Sequence, residues 1–221
     1  MSNDIILQLN KNIKELKLEE LNKLEQEKVE ELFQKGYKLY YNDNKDQEAI
    51  KLLDAALLID PRHVNSLNLK ADSLRMIGNY NDAIIWADKA LTMNSKHVYS
   101  LYSKADSLKM LGNYNDAIIW ADKAMMIDSK HVNSLFTKGD SLRMLGKYHE
   151  ALKLLDQTLN FDPNNIFSLY TKGACLQQLS NYSEAIEYYN KAILINPNFY
   201  LSKYQKTECE KQLNKKWWWQ K

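Results

Sequence analysis

The sequence predicts an all-α solenoid of stacked helix hairpins, and three observations lead there. The stretch GNYNDAIIWADKA fills residues 78–90 and again 112–124, letter for letter, 34 positions apart. The same period runs through most of the chain, which decides the architecture before any single element is assigned. Only 6 Gly and 3 Pro punctuate 221 residues, too few for many strands and tight turns.

With Val64, Val98, Val132 and Ile166 as position 1 of successive units, Leu67, Leu101, Leu135 and Leu169 align at position 4. Position 8 is Ala71, Ala105, Gly139, Gly173; position 11 is Leu74, Leu108, Leu142, Leu176; position 17 is Tyr80, Tyr114, Tyr148, Tyr182. Position 20 is Ala83, Ala117, Ala151, Ala185. An earlier unit from Val29 to Pro61 carries Gly36, Ala49 and Ala56, with one extra residue in its YYNDNKDQEA turn. Each unit has apolar residues at helical spacing, a Gly/Asn break and a second such run. It reads as a hairpin whose small residues at 8 and 20 let two helices approach closely. One hairpin cannot bury its apolar face alone, so the units must stack and be capped at their ends. Identical letters at surface positions such as Asn79, Asn81 and Asp88 are read as recent duplication.

Small residues at 8, an aromatic at 17, Ala at 20, Ala90, Ala124 and Ala192 at 27, and Pro163 and Pro197 at 32 resemble the tetratricopeptide repeat, over about residues 29–199. Pro61 matches once the extra residue is allowed for. Departures are Lys70, Lys104, Lys138 and Lys172 at position 7, Thr158 at 27, and Ser95 and Ser129 in place of Pro. All six glycines fall on position 8 or on the turn at 15, which leaves none for a phosphate-cradling loop. The resemblance implies a right-handed superhelical solenoid of helix-turn-helix repeats.

The expected organisation is an N-terminal helical segment (1–28), repeats at 29–61, 64–97, 98–131, 132–165 and 166–199, a capping helix (200–214) and a Lys/Trp tail (215–221). In the first segment Ile6, Leu9, Ile13 and Leu16 form one stripe, while Leu18, Leu21 and Leu24 continue on a rotated face. That slip predicts two short helices or a kink near Lys17, with capping of the first repeat as the segment's role and docking into a groove second. The tail KKWWWQK cannot bury three consecutive tryptophans from one helix end; a disordered tail without a role and docking onto this or a neighbouring solenoid are read as equally expected, and membrane contact as less so.

Composition excludes several classes. The net charge of +2 announces no nucleic acid, and Cys175 and Cys209 lack metal or disulfide spacing. No secretory segment opens the sequence and no long apolar run crosses it, so a cytoplasmic location is expected. His63, His97 and His131 recur at 34, but equivalent residues of stacked helices stand about 10 Å apart, too far to share a zinc ion; they read as inter-repeat loop residues. No nucleophile, acid–base or phosphoryl-transfer motif appears, and the expectation is a non-enzyme without metal or cofactor. Helical-repeat RNA binding is disfavoured by acids in the groove stripe.

Function is therefore expected on surfaces. On the first helices, positions 2, 5, 9 and 12 form a stripe turned by about 115° from the packing stripe at 4, 8 and 11. In the family it resembles, that stripe lines a concave groove where peptides bind. The candidate ligand-binding residues are Tyr99, Tyr102, Asp106, Lys109, Phe136, Asp140, Arg143, Phe167 and Tyr170. Large aromatics outside the hairpin core are good hot-spot candidates; the bland reading packs them between adjacent first helices. Asp72 with Arg75, Asp106 with Lys109 and Asp140 with Arg143 sit at i,i+3, where intra-helix pairing competes with ligand binding. The pattern that grips a chaperone's C-terminal EEVD is missing. Met76, Met110 and Met144 at position 13 read as core or groove lining. The expected function is a protein-interaction scaffold or adaptor holding a peptide or helix in the concave groove. The alternative is a structural assembly subunit using its ends and a convex face with Ile85, Trp86, Ile119 and Trp120, with self-association through the terminal segments.

Overall fold

The computed structural model describes residues 3–218, with side chains described at residue 8 and residues 11–215. Among these residues it holds eleven α-helices and no strand. The chain divides into two compact units, Met1–Ser95 and Lys96–Lys221. Both are built from consecutive helix hairpins, which is the all-α repeat solenoid class. The first holds α1 (Asn3–Tyr41), α2 (Asp46–Ile59), α3 (Val64–Met76) and α4 (Tyr80–Met93). The second holds α5 (Val98–Met110), α6 (Tyr114–Ile127), α7 (Val132–Met144), α8 (Tyr148–Phe161), α9 (Ile166–Gln178), α10 (Tyr182–Ile195) and α11 (Tyr200–Trp218). Within each unit every helix packs on the next, and α5, α7, α9 and α11 also touch in sequence.

The hairpins close through small residues. Ala83, Ala117, Ala151 and Ala185 are fully buried, as is each position-4 leucine to within 3%. The slot facing position 8 of the first helix is position 24 of the second, and the two vary together. Gly36 meets Leu53, Gly139 meets Leu155 and Gly173 meets Tyr189, whereas the same slots hold Ala71 with Ala87 and Ala105 with Ala121. A large residue on one helix thus faces no side chain on the other. At position 15 the chain turns out of the first helix in the left-handed region, with φ of 82° at Gly78 and Gly112, 75° at Gly146 and 61° at Ser180.

Lysine at position 7 joins neighbouring hairpins. Lys70 on α3 donates to Asp54 on α2, Lys138 on α7 to Asp122 on α6 (2.6 Å), and Lys172 on α9 to Asp156 on α8. Where position 23 is aromatic, the position-7 lysine also reaches that ring. Lys70 and Lys89 flank Trp86, Lys104 and Lys123 flank Trp120, and Lys172 and Lys191 lie over Tyr188. Cation–π contact covers these rings, while the adjoining Ile85 and Ile119 stay exposed.

Two expectations at the ends are corrected. α1 runs unbroken through Lys17, because no Gly or Pro precedes Gly36 and the segment is dominated by Leu, Lys and Glu, which favour helix. Its residues 11–28 are exposed throughout, so they do not cap the first repeat; the first buried residues are Val29 and Phe33. The side chains of Ile6 and Leu9 lie outside the described residues. At the other end α11 continues past Asn214 to Trp218, with no helix breaker to stop it. The side chains of Trp217 and Trp218, and all of Trp219 to Lys221, lie outside the described residues.

Candidate protein-interaction face

All nine candidate residues lie on α5, α7 and α9 of the second unit. These helices start at an N-cap supplied by position 34. His97 Nδ1 accepts from Ser100 N and His131 Nδ1 from Ser134 N (both 3.3 Å), and Asn165 Oδ1 accepts from Ser168 N (2.9 Å). Of the histidines expected as plain loop residues, His97 and His131 are therefore side-chain caps, while His63 makes no such bond. Burial lowers the pKa of both His97 and His131, which favours the neutral ring that can accept this bond.

The aromatic residues divide into two sets. Tyr99 and Phe167, at position 2, are 58% and 62% exposed. Tyr102, Phe136 and Tyr170, at position 5, are half-buried. His131 stands against both Tyr99 and Tyr102, with ring centroids 5.5 Å apart in each case. Phe136 lies 6.4 Å from Phe167, and Phe199 stands 6.0 Å from Phe167 and 5.6 Å from Tyr170. The residue at position 34 thus fills the joint between one first helix and the next. The position-5 rings help to pack that joint, and the position-2 rings project from it.

The four charged candidates form one continuous chain. Lys109 Nζ lies 2.7 Å from Asp106 and 3.8 Å from Asp140, and Arg143 Nη2 lies 2.8 Å from Asp140. Asp106 is buried and also accepts from Thr137 Oγ1 at 3.3 Å. Burial works against the Arg143 cation, but Asp140 outweighs it and the pKa is raised. Two anions and two cations compensate one another on the protein, so little charge is offered to a ligand.

What remains exposed at positions 2 and 13 is apolar in four places, with the polar Asn133 on α7 and Gln178 on α9 in the other two. Met110 and Met144, at position 13, lie about 20° from position 2 around the helix and are 52% and 45% exposed. Arg143 Nη2 also donates to Met144 Sδ at 3.0 Å. Tyr99 and Phe167 are exposed at the starts of α5 and α9, and Met110 and Met144 at the ends of α5 and α7, about 16 Å further along the helix axis, with the compensated charges on the turns between. Met144 and Met110 were visible as recurring residues, but a period of 3.6 does not separate lining from core.

Burial pushes the Cys175 thiol up to about 12 and the Cys209 thiol up to about 11, which keeps both protonated and poorly nucleophilic near neutral pH. Among the described residues no group of three His, Cys, Asp or Glu side chains is placed to hold a metal ion. No described helix is long and apolar enough to cross a membrane.

Two family models match separate stretches of the sequence. Residues 38–98 match a tetratricopeptide repeat model, and residues 110–192 match the model described as anaphase-promoting complex, cyclosome, subunit 3. No curated protein matches the sequence. Among solved structures, TTC0263, a thermophilic TPR protein of Thermus thermophilus, is 16% identical with a TM-score of 0.69, over 82% of this chain and 98% of that one. A tetratricopeptide repeat protein from Parabacteroides merdae ATCC 43184 is 20% identical with a TM-score of 0.66, over 86% and 75%. YrrB, a TPR protein with an unusual peptide-binding site, is 22% identical with a TM-score of 0.61, over 80% and 90%. The 34-residue register, the hairpins closed through positions 8 and 20, and the two family models agree, and the chain belongs to the tetratricopeptide repeat proteins.

Proposed function

We propose that this chain is a non-catalytic protein-interaction scaffold, and that its second unit holds a peptide or helix of a protein partner on the face formed by α5, α7 and α9. The observation that carries this reading is that Tyr99 and Phe167 at one end of these helices and Met110 and Met144 at the other are exposed, on a face whose ion pairs already satisfy one another. Rigid aromatics gain contact area at low entropic cost, and methionine adapts to irregular apolar surfaces. The ligand is therefore an apolar segment rather than a charged tail. Nucleic acid is disfavoured because the face carries no net positive charge to meet phosphate. YrrB, with the same fold, carries a peptide-binding site.

The half-buried Tyr102, Phe136 and Tyr170 belong to the candidate set, but their loss would also loosen the joints between helices. The discriminating variant is Tyr99→Ser with Phe167→Ser, which alters only exposed rings. Peptides selected from a displayed random library on the wild-type protein should bind this variant at least about 30-fold more weakly, since hot-spot residues contribute about 2 kcal/mol or more. Equal binding by both proteins would move the site elsewhere.

A second reading, a structural subunit that makes contacts through its ends and convex side, rests on other exposed residues. Ile85 and Ile119 are each 52% exposed, and Tyr200, Leu201 and Tyr204 on α11 are 72%, 55% and 63% exposed. Under that reading the double serine variant keeps its partners and changes at Ile85 or Tyr204 lose them.

A further inference from the structure

Residues 11–28 of α1 are exposed from end to end, and Ile13, Leu16, Leu18, Leu21 and Leu24 are between 45% and 64% exposed. Helices in water owe most of their stability to packing an apolar face, so a stretch of this kind calls for a neighbour. At 100° per residue Ile13, Leu16 and Leu24 fall within about 80° of one another, and Leu21 lies about 60° further round. The charges are sorted along the axis. Lys11, Lys14 and Lys17 face only Glu15 in the first half, whereas Glu19, Glu20, Glu25 and Glu27 outnumber Lys23 and Lys28 in the second, and Lys28 is paired with Glu31. Intrahelical pairs at 3.9 Å join Lys11 to Glu15 and Lys23 to Glu27, so the unbalanced charges are basic before Leu18 and acidic after it.

We propose that residues 11–28 of α1 form an antiparallel helix pair with the same segment of a second copy of this chain. A two-fold axis between Leu18 and Glu19 sets Ile13 opposite Leu24 of the second copy and Leu16 opposite Leu21. It also sets Lys17 beside the second copy's Glu20; Lys14 falls opposite its Lys23, which is already paired with Glu27, and two residues from its Glu25. A parallel pair stacks the three lysines on their own counterparts and the glutamates on theirs, which opposes that arrangement. This inference does not depend on the face of α5, α7 and α9.

The full chain should give a light-scattering mass near twice 25.9 kDa at tens of micromolar protein. The Leu16→Glu/Leu21→Glu variant should fall to the monomer mass with an unchanged melting temperature, because both residues are exposed in the single chain. Lys14→Glu/Lys17→Glu and Glu20→Lys/Glu25→Lys should each be monomeric alone and dimeric when mixed. Orientation is read by disulfide formation. An Ile13→Cys chain mixed with a Leu24→Cys chain should cross-link. Ile13→Cys alone should not, since its counterpart lies 11 residues away, about 16 Å along the axis. The buried Cys175 and Cys209 do not compete. A monomeric wild type, a dimer that survives Leu16→Glu/Leu21→Glu, or self-cross-linking of Ile13→Cys would overturn the proposal.

Discussion

The co-variation of positions 8 and 24 makes a prediction of opposite signs at two glycines. Gly173 packs against the ring of Tyr189, which is fully buried. A Cβ at residue 173 would stand 2.7 Å from Cε1, 2.9 Å from Cδ1 and 3.1 Å from Cζ of that ring. The ring cannot simply slide away, because Tyr189 Oη donates to Gln177 Oε1 at 2.7 Å, and Gln177 Nε2 donates to Gln205 Oε1 at 3.0 Å. Overpacking costs about 1–3 kcal/mol, and a lost neutral hydrogen bond adds about 1. The gain from replacing Gly by Ala within a helix is only about 0.5–1 kcal/mol. Gly173→Ala should therefore destabilise by about 1–3 kcal/mol. At Gly139 the added Cβ meets Leu155 Cγ at 3.4 Å, an ordinary contact, so Gly139→Ala should stabilise by up to about 1 kcal/mol. Equilibrium urea unfolding followed by helical circular dichroism measures both. In a Tyr189→Phe background, where the ring is released from Gln177, the cost of Gly173→Ala should shrink. Stabilisation by Gly173→Ala equal to that of Gly139→Ala would refute the argument that position 24 dictates position 8.

Other outcomes follow from single residues. Ser180 holds the turn slot with φ 61° where three other repeats have Gly, so Ser180→Gly should raise stability by about 1 kcal/mol, measured by the shift in urea midpoint. His97 and His131 have pKa values lowered by burial, so the folded state binds fewer protons than the unfolded one. Their contribution is present above the unfolded value of about 6.5 and is lost as pH falls through the folded values. His97→Asn/His131→Asn, which copies the Asn165 cap, should flatten the loss of melting temperature between pH 7 and pH 5; an unchanged slope would reject the capping role. With thiols pushed up to about 12 and about 11, Cys175 and Cys209 should resist a disulfide reagent at pH 8 and react promptly once urea unfolds the chain. Fast labelling of the folded protein would contradict their burial.

The parts of the fold that were legible in the sequence are those governed by one hairpin at a time. Position 1 of the register marks the first residue of α3, α5, α7 and α9, because a helix start is set by its own cap and its own first turn. The intra-helix pairing of Asp72 with Arg75, Asp106 with Lys109 and Asp140 with Arg143 was also legible, since i,i+3 geometry depends on nothing outside the helix. The end segments were not, because a drifting apolar stripe fits both a broken helix and a straight one whose second face is left open. α1 takes the second course, as its unbroken run of helix-favouring residues requires.

The joints between hairpins were the least legible, for a physical reason. Helical period assigns a side chain to a face, but it carries no information about the residue that the next hairpin brings to that face. Position 34 recurs as His97, His131, Asn165 and Phe199, and within its own repeat it is only the residue before a helix. In the folded second unit it does two jobs. At His97, His131 and Asn165 it caps the helix that follows, and at His131 and Phe199 its ring fills the space beside the position-2 and position-5 aromatics of the preceding first helix. The position-5 rings are thereby drawn into the joint and the position-2 rings are left projecting. Lysine at position 7 follows the same logic. It departs from the apolar residue the repeat often has there, yet Lys70 and Lys172 sit between an aspartate of the preceding hairpin and an aromatic ring of their own, and Lys138 keeps the aspartate alone. In this chain the hairpins are closed by small apolar residues and joined to one another by charged and aromatic ones. Tyr99, Met110, Met144 and Phe167 are among the residues those joints do not consume, and they remain exposed.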